Sequence, residues 1–200
     1  MRRLVLRGVN DPLFPLTFFL RNLEALEKEK AWAALSVRVR RLRAARMLRE
    51  RALLFLEVKG WLMERRERRS WMDLNPDNGA SLDASCYCDN CGRCCEVASG
   101  FPDFPSASAE IPPRWKRIFG DGLGRCHRFC GFMWEMKGAG KSLCAIHQWR
   151  SNPCRVFERE ECEYLKEGPG FPGPSNREEM KRSYRLVSRL IHDYRSLQMN

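Results

Sequence analysis

The chain has 200 residues, 44% of them hydrophobic, enough for a packed interior, which excludes a wholly disordered protein. Its net charge of +11 is uneven: residues 1–75 hold 18 Lys and Arg against 9 Asp and Glu, and the other 125 residues hold 18 against 16. No apolar run approaches the roughly 20 residues needed to span a bilayer, so a transmembrane segment is not expected.

Taken in chain order, Asn10-Asp11-Pro12 offers a cap followed by proline at a first helical position. Leu16, Phe19, Leu23 and Leu26 then recur at helical spacing. From Ala31 to Arg69 the chain is rich in Ala, Leu, Arg and Glu, which predicts one long helix or two, with Gly60 as the point of any break. Leu35, Val39, Leu42 and Ala45 mark one apolar stripe, and Leu48, Ala52, Phe55 and Leu62 another. Residues 73–85 read as a loop, and the Gly- and Pro-rich cysteine region after it as irregular backbone wrapped on metal. The run GPGFPGP at 168–174 is a breaker. Ser175, with Glu178 three residues on, forms a capping box for a last helix with an apolar face of Met180, Tyr184, Val187, Ile191 and Tyr194.

This divides the chain into a basic helical extension (1–78), a cysteine-cluster module (79–166), and a linker with an amphipathic helix (167–200). The expected fold class is mainly α: an irregular cysteine-rich metal-binding core flanked by long N-terminal helices and one C-terminal helix.

All ten cysteines lie between residues 86 and 162. Cys86-Tyr-Cys88-Asp-Asn-Cys91-Gly-Arg-Cys94-Cys95 holds five of them, and Cys88, Cys91 and Cys94 are each separated by two residues. That spacing lets a tight loop wrap one side of an ion or cluster. Cys95 follows Cys94 directly, and neighbouring side chains diverge, which favours two sites or a cluster over one tetrahedral ion. The start MRRLVLRGVNDPLFPLTFFL has no small-residue cleavage site before Arg21, so a reducing, cytoplasmic location is expected. There metal is favoured over disulfides.

Downstream, Cys130-Gly-Phe132 has apolar neighbours, Cys144-Ala-Ile-His147 resembles a C-x2-H pair, and Arg155 beside Cys154 favours thiolate. For each single cysteine the plain alternative is a small buried hydrophobe. His127 and His147 are candidate ligands or hydrogen-bond donors beside the site.

The order Cys88-x2-Cys91-x2-Cys94-Cys95, Cys130-x-Phe132, Cys144-x-Ile146 and Cys154-Arg155 resembles the YkgJ family of CxxCxxCC cysteine-cluster proteins, bacterial domains described as chelating zinc or iron. The resemblance covers residues 86–162. It implies Cys88, Cys91, Cys94, Cys95, Cys130, Cys144 and Cys154 as metal ligands, with Cys162 an eighth, and leaves Cys86 and Cys126 as additions. Where the family carries a tyrosine and an Arg-Pro pair, this chain has His147 and Arg150-Ser151. Flagellin lysine methylases look similar in carrying a related cysteine cluster, but no S-adenosylmethionine site is recognisable here.

Gly138-Ala-Gly140-Lys141-Ser142 imitates the end of a phosphate loop whose first glycine position is Glu135, and Asp73-x-Asn75-x-Asp77 imitates a calcium loop with Asn78 at its glycine position. Both fail. The expectation is therefore an iron–sulfur cluster, of the four-iron type, in a structural, redox or accessory role within a protein complex. Structural zinc in an interaction module is the alternative, and a methyltransferase the minority enzyme reading. The basic N-terminal helices, with Trp32, Trp61, Trp71 and Phe55, are expected to meet a protein partner. Nucleic acid or an anionic membrane surface also fits their charge, and a merely solvated helix face fits equally well.

Overall fold

The computed structural model describes residues 2–65, 92–97, 111–124, 126–136, 141–149, 154, 158–167, 185–186 and 189–190. These residues are mainly helical. The chain opens with α1 (Arg2–Asn10), which buries Val5 and Val9. It packs along a later helix, α4 (Val37–Arg65), at Gly8, where an added Cβ would meet the Ala52 carbonyl oxygen at 3.1 Å. Asn10-Asp11-Pro12 is therefore the exit of a helix and not the start of one. The Asp11 carboxylate accepts from the Leu13 amide at 3.0 Å and pairs with Lys59 of α4, so Asp11 closes a turn and pins it.

Next comes α2 (Leu16–Glu27), with Leu16, Phe19, Leu23 and Leu26 buried as their spacing predicts. Pro15 precedes it and no nearby side chain caps it. The cap comes from 118 residues away, where Glu135, 2% exposed, accepts from the Thr17 amide at 2.9 Å. A carboxylate at a helix N-terminus satisfies an orphan N–H and complements the helix dipole. The one-turn α3 (Lys30–Ala33) follows, and Ser36 then caps α4, its hydroxyl accepting from the Val39 amide at 3.3 Å. Helix α4 runs unbroken for 29 residues, so Gly60 does not divide it.

After α5 (Cys94–Val97), a single turn, α6 (Pro113–Asp121) starts with proline at its first turn and buries Trp115 and Phe119. The cysteine region also holds an antiparallel hairpin, β1 (Met133–Met136) and β2 (Lys141–Cys144), with Met133 opposite Cys144. It is thus less irregular than its composition suggests. A 3-10 turn (His147–Trp149) and α7 (Arg159–Glu167), none of whose residues is buried, complete the longer elements. Of the expected final helix, Arg185, Leu186, Arg189 and Leu190 are helical; its capping box, His192 and the 168–174 breaker lie outside the described residues.

One core joins the N-terminal helices to the cysteine-bearing elements. Trp61 of α4 makes edge contacts to Trp115 and to Trp149, each at 5.1 Å between ring centres, and Trp115 lies 5.7 Å from Phe132. Phe55 bridges Phe14 at 5.5 Å and Trp134 at 5.1 Å. Such pairs add about 0.5–1.5 kcal/mol each beyond the area they bury. The rings expected to form partner surface are therefore internal: Trp32 and Phe55 are buried and Trp61 is packed between two tryptophans, while Trp71 lies outside the described residues. No described helix is long and apolar enough to cross a membrane.

The long-range cap gives a direct test. Glu135→Ala is expected to lower the unfolding free energy by about 2 kcal/mol in urea titration, and Glu135→Gln, which keeps an acceptor oxygen, to cost less.

Candidate metal centre

Backbone hydrogen bonds assemble the site. The Cys95 amide donates to the Gly92 carbonyl at 3.0 Å, closing the turn into α5, and the Cys130 amide donates to the Cys95 carbonyl at 2.7 Å. Gly92 has φ +82°, and a Cβ there would lie 3.0 Å from the Phe18 ring and 3.0 Å from Ser142. Glycine is needed on both counts: left-handed backbone, and close approach to α2 and β2. Gly131 likewise lets the Cys130 turn reach α4, since its Cβ would come within 2.9 Å of a Leu54 methyl. The Phe132 amide donates to Cys130 Sγ at 3.5 Å, an N–H directed at sulfur two residues back, and the Met133 amide donates to the Cys130 carbonyl at 3.3 Å. The hairpin register then brings Cys144 alongside this turn.

The Cys94 and Cys95 side chains do not diverge as their adjacency suggests: a hydrogen bond with Cys94 is the main cause that raises the Cys95 pKa well above its ordinary value. Burial adds to that shift, as do the charges of Cys94, Cys130 and Cys144. Burial also pushes the Cys130 thiol up, while the Phe132 N–H and Arg51 pull it down. Four thiols, two from α5, one from the turn before β1 and one ending β2, thus share one neighbourhood. The raised values of Cys95 and Cys130 favour their thiol forms, so a metal bound there would have to displace those protons.

Beside them lies a buried cation. Arg51 of α4 is 1% exposed. It donates from Nη1 to the Cys130 carbonyl at 2.9 Å and from Nη2 to the Phe129 carbonyl at 2.9 Å, and its guanidinium lies 3.6 Å from the centre of the Phe129 ring. Burial lowers its pKa to about 9, with Cys130 and Cys95 opposing the shift, so it stays charged at neutral pH.

Nη2 also lies 3.5 Å from His127 Nδ1, and His127 Nε2 lies 3.2 Å from a Glu50 oxygen. Arginine can only donate, which assigns the acceptor role to Nδ1 and the proton to Nε2. Burial first, then Arg51, holds His127 down to about pKa 4 against the pull of Glu50, so the ring is neutral. On α2, Asn22 steadies the same loop, donating to the Cys126 carbonyl at 2.8 Å and accepting from the Arg128 amide at 2.7 Å.

Of the sequence-predicted ligands, Cys94, Cys95, Cys130 and Cys144 are brought together. Cys154 packs against the same core, as does Cys126, and Cys162 is a half-buried residue of α7. Cys86, Cys88 and Cys91 lie outside the described residues. The seven described cysteines carry no disulfide. Among the described residues, no three His, Cys, Asp or Glu side chains form a ready-made ion site. Both ring nitrogens of His127 are engaged by Glu50 and Arg51, so it acts as a support for the loop. Lys141 and Ser142 belong to a strand, where no helix N-terminus follows to cradle phosphate.

Arg51, Glu50, Asn22 and Gly92 are contributors that sequence reading passed over. Only Arg51 left a signal, its place between Leu48 and Phe55 on an otherwise apolar stripe. No family model, curated protein or solved structure matches this chain.

A buried neutral histidine makes stability depend on pH. The folded value of about 4 lies below the ordinary 6.5, so as pH falls the unfolded chain takes up this proton first. The contribution is complete above about 6.5 and drains away toward 4, amounting to about 3 kcal/mol. Urea unfolding at pH 7 and pH 4.5 should therefore show a smaller acid loss for His127→Gln than for the wild type.

Proposed function

We propose that this chain is a metal-binding cysteine-cluster protein that holds an iron–sulfur cluster, of the four-iron type, in a structural, redox or accessory role within a protein complex. The observation that carries this reading is the gathering of Cys94, Cys95, Cys130 and Cys144 beside the buried Arg51. Disulfide stapling would give such a gathering no use for a cation. The donor set is all sulfur, the chemistry that selects zinc and iron–sulfur centres.

Cys88, Cys91, Cys94, Cys95, Cys130, Cys144, Cys154 and Cys162 are the residues proposed to hold the centre. The cluster would supply electron transfer, redox sensing or a covalent crosslink of the fold. The chain's own residues hold the thiols in place, aim N–H groups at sulfur and shield the site behind Phe129 and Phe132. A sulfur-ligated centre of this kind belongs in a reducing, cytoplasmic setting, which is part of the proposal. Arg38, Arg41, Arg43 and Arg46 are exposed on the first half of α4 and support an acidic protein partner.

Anaerobic purification followed by iron, zinc and sulfide analysis and an absorption spectrum tests the reading. Iron and sulfide with visible charge-transfer bands are expected. Stoichiometric zinc without iron would show the same thiols serving an architectural site, and oxidised thiols without metal would end the metal reading. Cys94→Ser is expected to lose metal and solubility together, because binding and folding are linked.

A further inference from the structure

We propose that Arg51 is the counter-charge of the cysteine centre, a positioning residue on α4 that offsets the negative charge of the assembled thiolates and holds the Phe129–Cys130 backbone in register with α5. This rests on the reading of the site as a metal centre and deepens it.

A guanidinium that is 1% exposed is costly to bury unless acceptors and negative charge meet it. Two carbonyls take its two terminal nitrogens, one belonging to Cys130 itself. Its Nε–H has no hydrogen-bond acceptor among the described residues. Glu50, the carboxylate joined to this network among the described residues, is engaged by His127 and by Arg46, the latter at 2.8 Å. Among the described residues, Arg51 is met by two carbonyls and an imidazole and by no carboxylate. The cation is bonded directly to the backbone of Cys130, one of the proposed ligands, and Cys130 is bonded in turn to Cys95, so thiolates formed when a metal binds would place negative charge beside it. A metal held by several thiolates carries more negative charge than the ion cancels, and in a poorly hydrated site a fixed cation is worth most. The fork geometry explains the residue type: one group binds two adjacent carbonyls, one of them belonging to a proposed ligand.

Two substitutions in the full chain separate charge from hydrogen bonding. Arg51→Lys keeps the cation and loses the fork; Arg51→Gln keeps a neutral N–H donor and loses the cation. The readout is the rate at which EDTA removes metal from anaerobically purified protein. Arg51→Gln is expected to release metal about 10–100-fold faster than wild type, the range for lost outer partners of a metal site, and Arg51→Lys to stay within about threefold. Equal rates for the two variants, or a Gln variant as slow as wild type, would overturn the role of Arg51 while leaving the metal reading intact. A wild-type chain without metal overturns that reading and the inference with it. If Arg51→Gln is insoluble, Arg51→Met takes its place. Should both neutral variants lose the metal-free fold while Arg51→Lys keeps it, the charge serves the fold alone and the proposal is overturned.

Discussion

A positive charge removed from water must be met by acceptors, and much of this structure is arranged around meeting that of Arg51. Helix α4 carries the guanidinium into the interior, and the segment 127–130 bends over it so that two successive carbonyls and one imidazole face it. The Phe129 ring covers its flat side. Because the Cys130 amide is in turn bonded to Cys95, the same cation organises the meeting of α5 with the turn that precedes the hairpin. Losing one partner of such a buried arrangement costs more than making it gains, which gives the junction a single geometry.

The elements around that junction support each other across long sequence separations. Glu135 of β1 caps α2, Asn22 of α2 holds the 126–128 loop, and Phe18 of α2 abuts Gly92 before α5. Trp61, Trp115 and Trp149 tie the far half of α4 to α6 and to the turn after β2. Cys95, Cys126, Cys130, Cys144 and Cys154 pack against the same core as the N-terminal helices. Their neighbourhood is built on the N-terminal helices, so the positive charge of those helices has an internal use in Arg51 besides the exposed arginines nearer the start of α4.

Local signals made the helices legible in sequence. Leu16, Phe19, Leu23 and Leu26 repeat at helical spacing and are buried, and the Ala- and Leu-rich stretch after Ala31 became α4. Helix α1 was missed because Asn10-Asp11-Pro12 carries the chemistry of a helix start, whereas Asp11 spends its carboxylate on a turn and on Lys59. The hairpin was missed because four-residue strands such as Met133–Met136 show no apolar–polar alternation. Cys130 and Cys144 are joined to Cys94-Cys95 only by the resemblance to a cysteine-cluster family, since no local spacing links residues so far apart. What spacing could not reveal was long-range pairing: an arginine inside an apolar stripe reads as a solvated charge, and a cap supplied 118 residues away leaves no mark near the helix it serves.

The proposed centre is one whose donors are sulfur alone, with His127 held back as a neutral support by Glu50 and Arg51. X-ray absorption at the metal edge of the anaerobically purified protein tests this most directly. The account predicts a first shell of sulfur at about 2.3 Å with no nitrogen or oxygen donor. A nitrogen or oxygen shell, or a chain that holds no metal at all, would contradict it.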